Sequence, residues 1–253
     1  MHFMQRYFVS SENWKDASVT ITGDDAKHIL KVMRMQVGDN FICCDNKGRT
    51  SLCEIIEVDG NEVETKIVND IETVVELPVS VTIAQGLPKG DKLEYIIQKG
   101  TELGAFSFFP FAADRSVVKW DDKKAVKKKE RLEKIAKEAA EQSHRNRVPD
   151  ILNPGSFSDL LKMAEQYKIK IVAFEEEAKQ NEISNFASAL RTAEIGDSIL
   201  CVIGPEGGIS EKEAASLNDH GFLLCGLGPR ILRTETAPLY LLSAISYHFE
   251  LKG

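Results

Sequence analysis

The pattern of short apolar segments changes partway along the chain, and this change constrains the fold more than any other feature. Before about residue 70, five short segments rich in Val, Ile, Thr, Phe and Tyr are separated by turn-forming sequences such as Asp59-Gly60. We predict strands at 6–9, 18–22, 40–44, 52–58 and 62–68. One helix is predicted at 24–35, with Ala26, Ile29, Leu30 and Met33 as its apolar stripe. Five strands and one helix indicate a small barrel.

From residue 79 onward, predicted strands alternate with predicted helices. We predict strands at 79–84, 106–111, 169–174, 199–203 and 222–226. The predicted helices are 91–103, 123–147, 157–166, 210–219 and 237–250. This alternation is typical of an α/β domain with a mainly parallel sheet. The expected division is therefore a β-rich domain at 1–72 and an α/β domain at 73–253.

Composition excludes several classes of protein. The chain is 43% apolar, but no apolar run approaches the ~20 residues that a membrane-spanning helix needs. Its first residues lack the basic and apolar pattern of a secretion signal, so we expect none. Five cysteines without CxxC spacing suggest reduced thiols in a cytoplasmic protein. No histidines or cysteines fall at metal-ligand spacing, so no metal site is expected.

A glycine-rich loop at 203–209 follows one predicted strand. It leads into Ser210 and Glu213, whose spacing is that of a helix capping box. Ligands of open α/β sheets bind where strand ends meet helix starts, and the glycines would let a ligand approach the backbone. No Gly-Lys-Ser/Thr follows, and Glu206 would repel phosphate but could accept a hydrogen bond from a ribose hydroxyl. The alternative is a simple tight turn.

A second polar loop, at 226–238, follows the next predicted strand. Its GLGPRI sequence lacks the third glycine of a dinucleotide-binding motif. Arg230, Arg233 and Glu235 crowd the start of a very apolar helix, where Thr236 is a candidate cap and Pro238 suits the first turn. The polar residues indicate a site; the alternative is an Arg233–Glu235 salt bridge with ordinary capping.

Basic residues concentrate in one stretch of a chain whose net charge is −7. Residues 119–147 hold 11 Lys and Arg against 6 Asp and Glu, and end in QSHRNR. Arginine pairs with phosphates and stacks on bases, so this cluster suggests an RNA site. A solvated helix face is the alternative. Attraction to phosphate is local, so the net negative charge does not exclude nucleic acid.

Five sequence motifs follow a known pattern along the chain: IGPEGGIS at 203–210, GLGPRILRTETA at 226–237, KGTELG at 99–104, EAAEQSHR at 138–145 and HxxxVxR at 28–34. Together they resemble the SPOUT superfamily of RNA methyltransferases, and most closely the RsmE-type 16S ribosomal RNA uracil-N3 methyltransferases. The resemblance covers essentially the whole chain in order. Gly100 stands where a residue such as Ala is usual, which would weaken a helix slightly.

The resemblance implies a SPOUT-type α/β domain with a C-terminal trefoil knot, joined to a PUA-like RNA-binding β-barrel. It implies a homodimer that binds S-adenosylmethionine in the knot. The methyl acceptor would be N3 of one uridine in 16S ribosomal RNA, presented free or in the 30S subunit.

The resemblance also assigns roles to residues of this chain. Arg233 would stabilise the anion of the target base, and Glu235 would act as a base or orient Arg233. The implied cofactor-binding residues are Phe174, Glu175, Ile203, Gly204, Pro205, Glu206, Gly207, Gly208, Leu227, Gly228, Ile231, Leu232, Thr236 and Ala237. The candidate RNA-binding residues are Arg6, His28, Arg34, Arg115, Gln142, His144, Arg145 and Arg147.

Other functions remain open at this point. A ribose 2′-O-methyltransferase would share the cofactor loops, and a non-catalytic RNA-binding or ribosome-assembly factor would share the fold. A kinase or dehydrogenase is disfavoured, because the phosphate-binding and dinucleotide-binding motifs are missing.

Overall fold

A computed structural model describes residues 4–174 and 184–251. The chain forms two compact units: Met1–Glu76 with Ala140–Val148, and Leu77–Ala139 with Pro149–Gly253. The first unit thus combines an N-terminal segment close to the expected one with a second segment from the middle of the chain, which the sequence pattern did not suggest.

The first unit is built on a five-stranded sheet in the order β1-β3-β4-β5-β2. Its strands are β1 (Arg6–Phe8), β2 (Ser18–Ile21), β3 (Asn40–Cys44), β4 (Thr50–Asp59) and β5 (Glu62–Asp70). β1 runs parallel to β3, and the other neighbours are antiparallel. Alternate side chains point inward, so Phe41, Ile55 and Val63 are fully buried in one core. All five predicted strands are present within a few residues of their predicted bounds.

The helix of this unit is shorter and less regular than the pattern predicted. Helix α1 (Gly23–Lys27) is followed by a π-helical turn, His28–Val32, in which the amide of Met33 donates to the carbonyl of His28 at 2.9 Å. This wider turn moves Met33 off the buried face that Ala26 and Ile29 occupy. Met33 is 38% exposed, so its predicted place in the apolar stripe is wrong.

The second unit is built on a parallel sheet in the order β12-β10-β11-β6-β7-β8, with β9 also paired to β7. Its strands are β6 (Ser80–Gly86), β7 (Ser107–Ala112), β8 (Asp150–Ile151), β9 (Gly155–Ser156), β10 (Ile169–Ala173), β11 (Ser198–Ile203) and β12 (Leu223–Cys225). The described helices are α2 (Lys92–Glu102), α3 (Asp122–Gln142), α4 (Phe157–Ala164), α5 (Ser184–Thr192), α6 (Glu211–Asp219) and α7 (Ala237–Ser246). A π-helical turn, Tyr247–Leu251, follows α7. The predicted α/β alternation is confirmed.

Two short strands and one helix of the second unit were not predicted, and one helix was predicted too long. The short strands β8 and β9 and the helix α5 gave no clear periodic signal. Helix α3 ends at Gln142 and not at 147, because His144 adopts a left-handed conformation with φ of 57°. Such a residue stops an α-helix.

Helix α2 packs closely on the sheet at Gly100. A Cβ atom built there would lie 2.8 Å from the ring of Phe108, so an alanine would force a rearrangement. The glycine that weakens the helix in isolation is therefore what allows it to approach β7.

The strand order brings four strand ends together. Ile203 at the end of β11 is in register with Gln85 near the end of β6. On the other side of β11, Ala173 at the end of β10 is in register with Cys225 at the end of β12. Because these strands are parallel, the loops that follow them share the carboxyl edge of the sheet.

Three further observations concern the residues that the structure describes. Over 4–174 and 184–251, no helix is both long enough and apolar enough to cross a membrane. Within the same ranges, no cluster of three or more His, Cys, Asp or Glu side chains is arranged to hold a metal ion. All five cysteines are buried free thiols.

Candidate active site

A cavity of about 490 Å³ lies at the carboxyl edge of the sheet. Its walls come from the ends of β10, β11 and β12, from the loops that follow them, and from Lys92 on α2 and Arg115 after β7. Predicted cofactor residues that line this cavity are Phe174, Ile203, Gly204, Pro205, Glu206, Gly207, Gly208, Leu227, Ile231, Leu232 and Ala237.

Three predicted cofactor residues are placed differently. Gly228 lines a second cavity, of about 330 Å³, beside Tyr240 and Tyr247. Thr236 is the exposed N-cap of α7, although its side chain makes no capping hydrogen bond. Glu175 lies outside the described residues.

The loop after β11 is folded tightly on itself. A Cβ atom at Gly204 would lie 2.5 Å from the backbone carbon of Gly208, and Gly208 has a φ of 72°. The capping box predicted at Ser210 and Glu213 is present, and Glu213 also accepts a hydrogen bond from the amide of Asp114 at 2.9 Å. The glycine at 204 is therefore required by the loop's own backbone, which is a different reason from the ligand approach predicted from sequence.

A buried amide ties the two polar loops together, and sequence reasoning missed it. The Nε2 of Gln85 donates to Thr234 Oγ1 at 2.9 Å and to the carbonyl of Gly204 at 3.2 Å. Thr234 Oγ1 donates to the same carbonyl at 2.7 Å. Gln85 is 1% exposed. No sequence motif marks Gln85, although its place at the end of a central parallel strand could have identified it.

Two carboxylates and one lysine form the polar wall of the cavity. Lys92 Nζ lies 2.9 Å from Glu206 Oε1 and 3.5 Å from Glu235 Oε2. Partial burial raises the pKa of Glu206, but hydrogen bonds from Lys92 and backbone amides outweigh it and hold the pKa below its usual value. The same hydrogen bond raises the pKa of Lys92. Sequence reasoning missed Lys92 because it lies on a helix far from either loop in the chain.

Arg233 projects from the cavity mouth. Its side chain is 84% exposed, and Nη1 lies 3.9 Å from Glu235 Oε1. This loose ion pair holds Arg233 weakly, so the guanidinium can turn toward a ligand. Arg230 is also exposed and lines the cavity. The alternative interpretation is an Arg233–Glu235 salt bridge with no other role. It explains why these two side chains lie close together, but it does not explain why Arg230 is also exposed at the cavity.

Arg115 belongs to the cavity and is also exposed. Its Nη1 donates to the carbonyl of Gly207 at 2.9 Å, on the loop after β11. Of the other predicted RNA-binding residues, Arg34 and Gln142 are exposed, and His28 is half-buried with Nδ1 2.9 Å from the hydroxyl of Tyr7.

Two of the arginines predicted to bind RNA are buried within the first unit. Arg6 is 5% exposed, and its Nη1 donates to the carbonyl of Arg145 at 2.8 Å and to Asn146 Oδ1 at 2.6 Å. Arg145 is 3% exposed and pairs with Glu76, where Nε donates to Oε2 at 3.1 Å. These guanidiniums join the two segments of the unit. His144 and Arg147 are half-buried beside them.

The cavity's lining suits a flat heteroaromatic ligand that also carries polar groups. Its apolar wall includes Phe174, Leu227 and Leu232. The charged part of the lining includes Glu235, whose buried Oε2 lies 3.5 Å from Lys92 Nζ but makes no close hydrogen bond to any residue the structure describes. A ligand amine, hydroxyl or cation would satisfy that oxygen.

Comparison with known proteins defines the class. Residues 75–246 match the family model of an RNA methyltransferase domain, and residues 21–68 match that of an RNA methyltransferase PUA domain. The parallel sheet with a cavity at its carboxyl edge is thus that of an RNA methyltransferase, and the curled N-terminal sheet is PUA-like.

The relatives identify the family. The chain is 53% identical to ribosomal RNA small subunit methyltransferase E of Bacillus subtilis, over 98% of both chains, and 32% identical to the protein of that name from Synechocystis, over 95% of this chain and 77% of the relative. The crystal structure of the Neisseria gonorrhoeae enzyme bound to S-adenosyl methionine is 28% identical with a TM-score of 0.83, covering 96% of this chain and 97% of that one. The chain belongs to the ribosomal RNA small subunit methyltransferase E family. This confirms the expected SPOUT-type α/β domain and PUA-like barrel, while the trefoil knot stays a prediction.

Proposed function

We propose that this protein transfers a methyl group from S-adenosylmethionine to N3 of a uridine in 16S ribosomal RNA. The observation that carries the proposal is the cavity itself, whose apolar wall lies beside Glu206 and Glu235 and whose mouth carries the exposed Arg233. Membership of the small subunit methyltransferase E family supports the choice of RNA.

The residues present fit S-adenosylmethionine. Phe174, Leu227 and Leu232 would pack against the adenine, and backbone groups of the loop at 203–209 would hydrogen-bond its edge. The carboxylates of Glu235 and Glu206, which flank Lys92, would accept hydrogen bonds from the ligand's amine or hydroxyl groups. When bound, S-adenosylmethionine supplies an electrophilic methyl group on a sulfonium.

The protein's own residues deal with the proton on uracil N3. That nitrogen is protonated near neutral pH, so the site must remove the proton or stabilise the resulting anion. Arg233 would stabilise the negative charge on O2 or O4 of the base. Glu235 lies between Lys92 at 3.5 Å and Arg233 at 3.9 Å, where it would accept the proton or orient the guanidinium.

The test is transfer of a labelled methyl group to 30S subunits and to free 16S RNA, followed by digestion to nucleosides. We expect label in 3-methyluridine. Label in a ribose would show a 2′-O-methyltransferase, and binding of RNA without transfer would show a non-catalytic factor.

The role of Arg233 has its own test. Arg233→Ala should reduce the turnover number about 100-fold or more, the scale for loss of one electrostatic donor. The melting temperature should change little, because the side chain is exposed. Lys162→Ala, an exposed cation on α4, is the matched control and should keep full activity. Turnover near wild type in Arg233→Ala would remove this residue from the mechanism.

We also propose that the protein acts as a cytoplasmic homodimer. The C-terminal region carries exposed apolar side chains at Tyr240, Tyr247 and Leu251, and Ile231 is exposed at the cavity mouth. Such exposed apolar groups are typical of an interface. Light scattering coupled to size exclusion should give twice the chain mass of 28.2 kDa. A single-chain mass at micromolar concentration would contradict the dimer.

A further inference from the structure

The first half of α3, together with the few residues just before it, carries an excess of positive charge. Lys119, Lys123, Lys124 and Lys127 are all exposed. We call these four residues the lysine surface. Among the residues that the structure describes, no carboxylate lies within 4.0 Å of any of their ammonium groups. Asp121 and Asp122 lie next to them in the chain. Asp121 Oδ1 accepts a hydrogen bond from the backbone amide of Lys124 at 2.8 Å.

Other lysines on the same helix are neutralised. Lys128 lies 3.5 Å from Glu94, Lys129 lies 3.6 Å from Glu133, and Lys134 lies 4.0 Å from Glu138. The paired lysines thus follow the unpaired ones along the helix. This difference shows that the lysine surface is distinct from an ordinary solvated helix face, in which opposite charges alternate.

The position of the lysine surface is unfavourable for the helix alone. Positive charges in the first turns of a helix oppose its dipole, and Lys123 and Lys127 repel each other at i,i+4 spacing. Charges that destabilise a helix in this way are expected at positions that bind a partner. A polyanion bound to the lysine surface would offset both the repulsion between the lysines and their unfavourable interaction with the helix dipole.

The lysine surface follows a cavity residue closely in the chain. Arg115, four residues before Lys119, contacts the carbonyl of Gly207 and lines the candidate active site. The basic stretch 115–127 therefore begins, in the chain, with a residue of the candidate active site. In contrast, Arg145, near the other end of the basic stretch, is buried against Glu76.

We infer that the lysine surface binds the phosphate backbone of the substrate RNA. The inference rests on the proposed function, because it takes ribosomal RNA as the polyanion. Ammonium groups on flexible stems suit phosphates without reading bases, so the surface would position the RNA and not select the uridine.

The test compares two variants with the same change in net charge. The surface variant is Lys119→Gln, Lys123→Gln, Lys124→Gln and Lys127→Gln together. The control variant carries Lys99→Gln, Lys134→Gln, Lys162→Gln and Lys168→Gln, each removing a lysine that already pairs with a carboxylate. The affinity for a 16S RNA fragment is measured between 50 and 200 mM salt (roughly the range over which counterion release is resolved).

Each lost phosphate contact should reduce the magnitude of the negative slope of log affinity against log salt by about 0.7–0.9. For four lost contacts we expect this magnitude to fall by about 3 in the surface variant, and by less than about 1 in the control. In methyl transfer, the surface variant should have a raised KM for RNA and an unchanged kcat. Calorimetry should show unchanged binding of S-adenosylmethionine, and replacement of the four lysines by arginine should keep the wild-type slope.

Equal slopes for the surface and control variants would overturn the inference while leaving the function intact, provided that the wild type methylates RNA. A wild-type protein that binds S-adenosylmethionine but no ribosomal RNA would overturn the proposed function, and the lysine surface with it.

Discussion

The side-chain amide of Gln85 lies 2.9 Å from the hydroxyl of Thr234, to which it donates a hydrogen bond. Thr234 stands in the chain between Arg233 and Glu235. One amide at the end of a central strand thus fixes the segment that carries both proposed catalytic side chains. The same amide reaches the carbonyl of Gly204, so the two loops of the cavity share an anchor.

Replacing Gln85 by Leu should loosen both loops. The change leaves the Gly204 carbonyl with fewer donors and removes the bond to Thr234, which should cost about 1–3 kcal/mol of folding free energy. We expect the affinity for S-adenosylmethionine to fall about tenfold, equivalent to about 1.4 kcal/mol. Isothermal titration and denaturant unfolding would measure the two effects.

Ser107→Ala is the matched control for that experiment. It removes a buried hydroxyl that lies 2.7 Å from Thr82 Oγ1 in the same sheet but does not line the cavity. This variant should lose stability and keep its affinity for S-adenosylmethionine. If both variants lose affinity alike, the effect of Gln85 is only a loss of general stability.

Lys92→Met should disturb the polar wall of the cavity. Without the ammonium group, Glu206 and Glu235 lose the cation between them, and the pKa of Glu206 should rise because its hydrogen bond from Lys92 is gone. We expect methyl transfer to fall about tenfold or more. Carboxyl-carbon NMR of the two proteins would follow the pKa.

The control for Lys92 lies on the same helix. Lys99→Met breaks a half-exposed pair with Glu102 at 2.8 Å, and Lys99 does not line the cavity. Its activity should stay at the wild-type level, and Lys92→Arg should recover part of the activity. An unchanged Glu206 titration in Lys92→Met would contradict the role given to Lys92.

Arg145 and Arg34 should behave in opposite ways. Arg145→Ala leaves Glu76 without its buried partner and should destabilise the protein by about 3 kcal/mol. Arg34→Ala, at an exposed position, should change stability by less than about 0.5 kcal/mol. We expect RNA affinity to fall in Arg34→Ala and to be retained by folded Arg145→Ala. Reversed effects on stability and RNA affinity would show that the buried arginine is the RNA ligand.

Stability should fall on mild acidification because of His144. Burial, and then the nearby charge of Arg6, lower the pKa of His144 below its usual value of 6.5. The unfolded state therefore binds the proton more readily, so the free energy of unfolding decreases as pH falls through about 6.5 toward the folded value. Urea unfolding between about pH 7.5 and 5.5 would measure this slope.

His144→Asn should flatten that slope. Asparagine tolerates the left-handed backbone of this position, so the fold should be kept. A slope identical to that of the wild type would mean that another group is responsible.

Local sequence patterns predicted the parts of this site that are contiguous in the chain. The loops at 203–209 and 226–238 follow strands and precede helices, and the capping box at Ser210 follows from four residues alone. Because parallel strands end at one edge, these two loops could be brought together without knowledge of the structure. The cavity indeed contains most of the residues assigned from them.

Partners from distant parts of the chain escaped prediction. Gln85 and Lys92 join the site through strand order and helix placement, which no local pattern specifies. The burial of Arg6 and Arg145 escaped prediction for the same reason, because local sequence does not show that Arg6 has an acceptor at Arg145, 139 residues away in the chain. Met33 was misplaced because a π-helical turn breaks the 3.6-residue period.

The first compact unit is built from two segments that are far apart in the chain, and this has a consequence for biosynthesis. Arg6 finds its acceptors at Arg145 and Asn146, in the segment Ala140–Val148. Translation releases the N-terminal strands long before that segment exists, so the unit cannot be completed as the first domain to leave the ribosome, the usual order for multidomain chains. A proteolytic or recombinant fragment ending near residue 72 would retain a buried guanidinium without its oxygen partners. Excising the unit intact would instead require a short linker from Glu76 to Ala140.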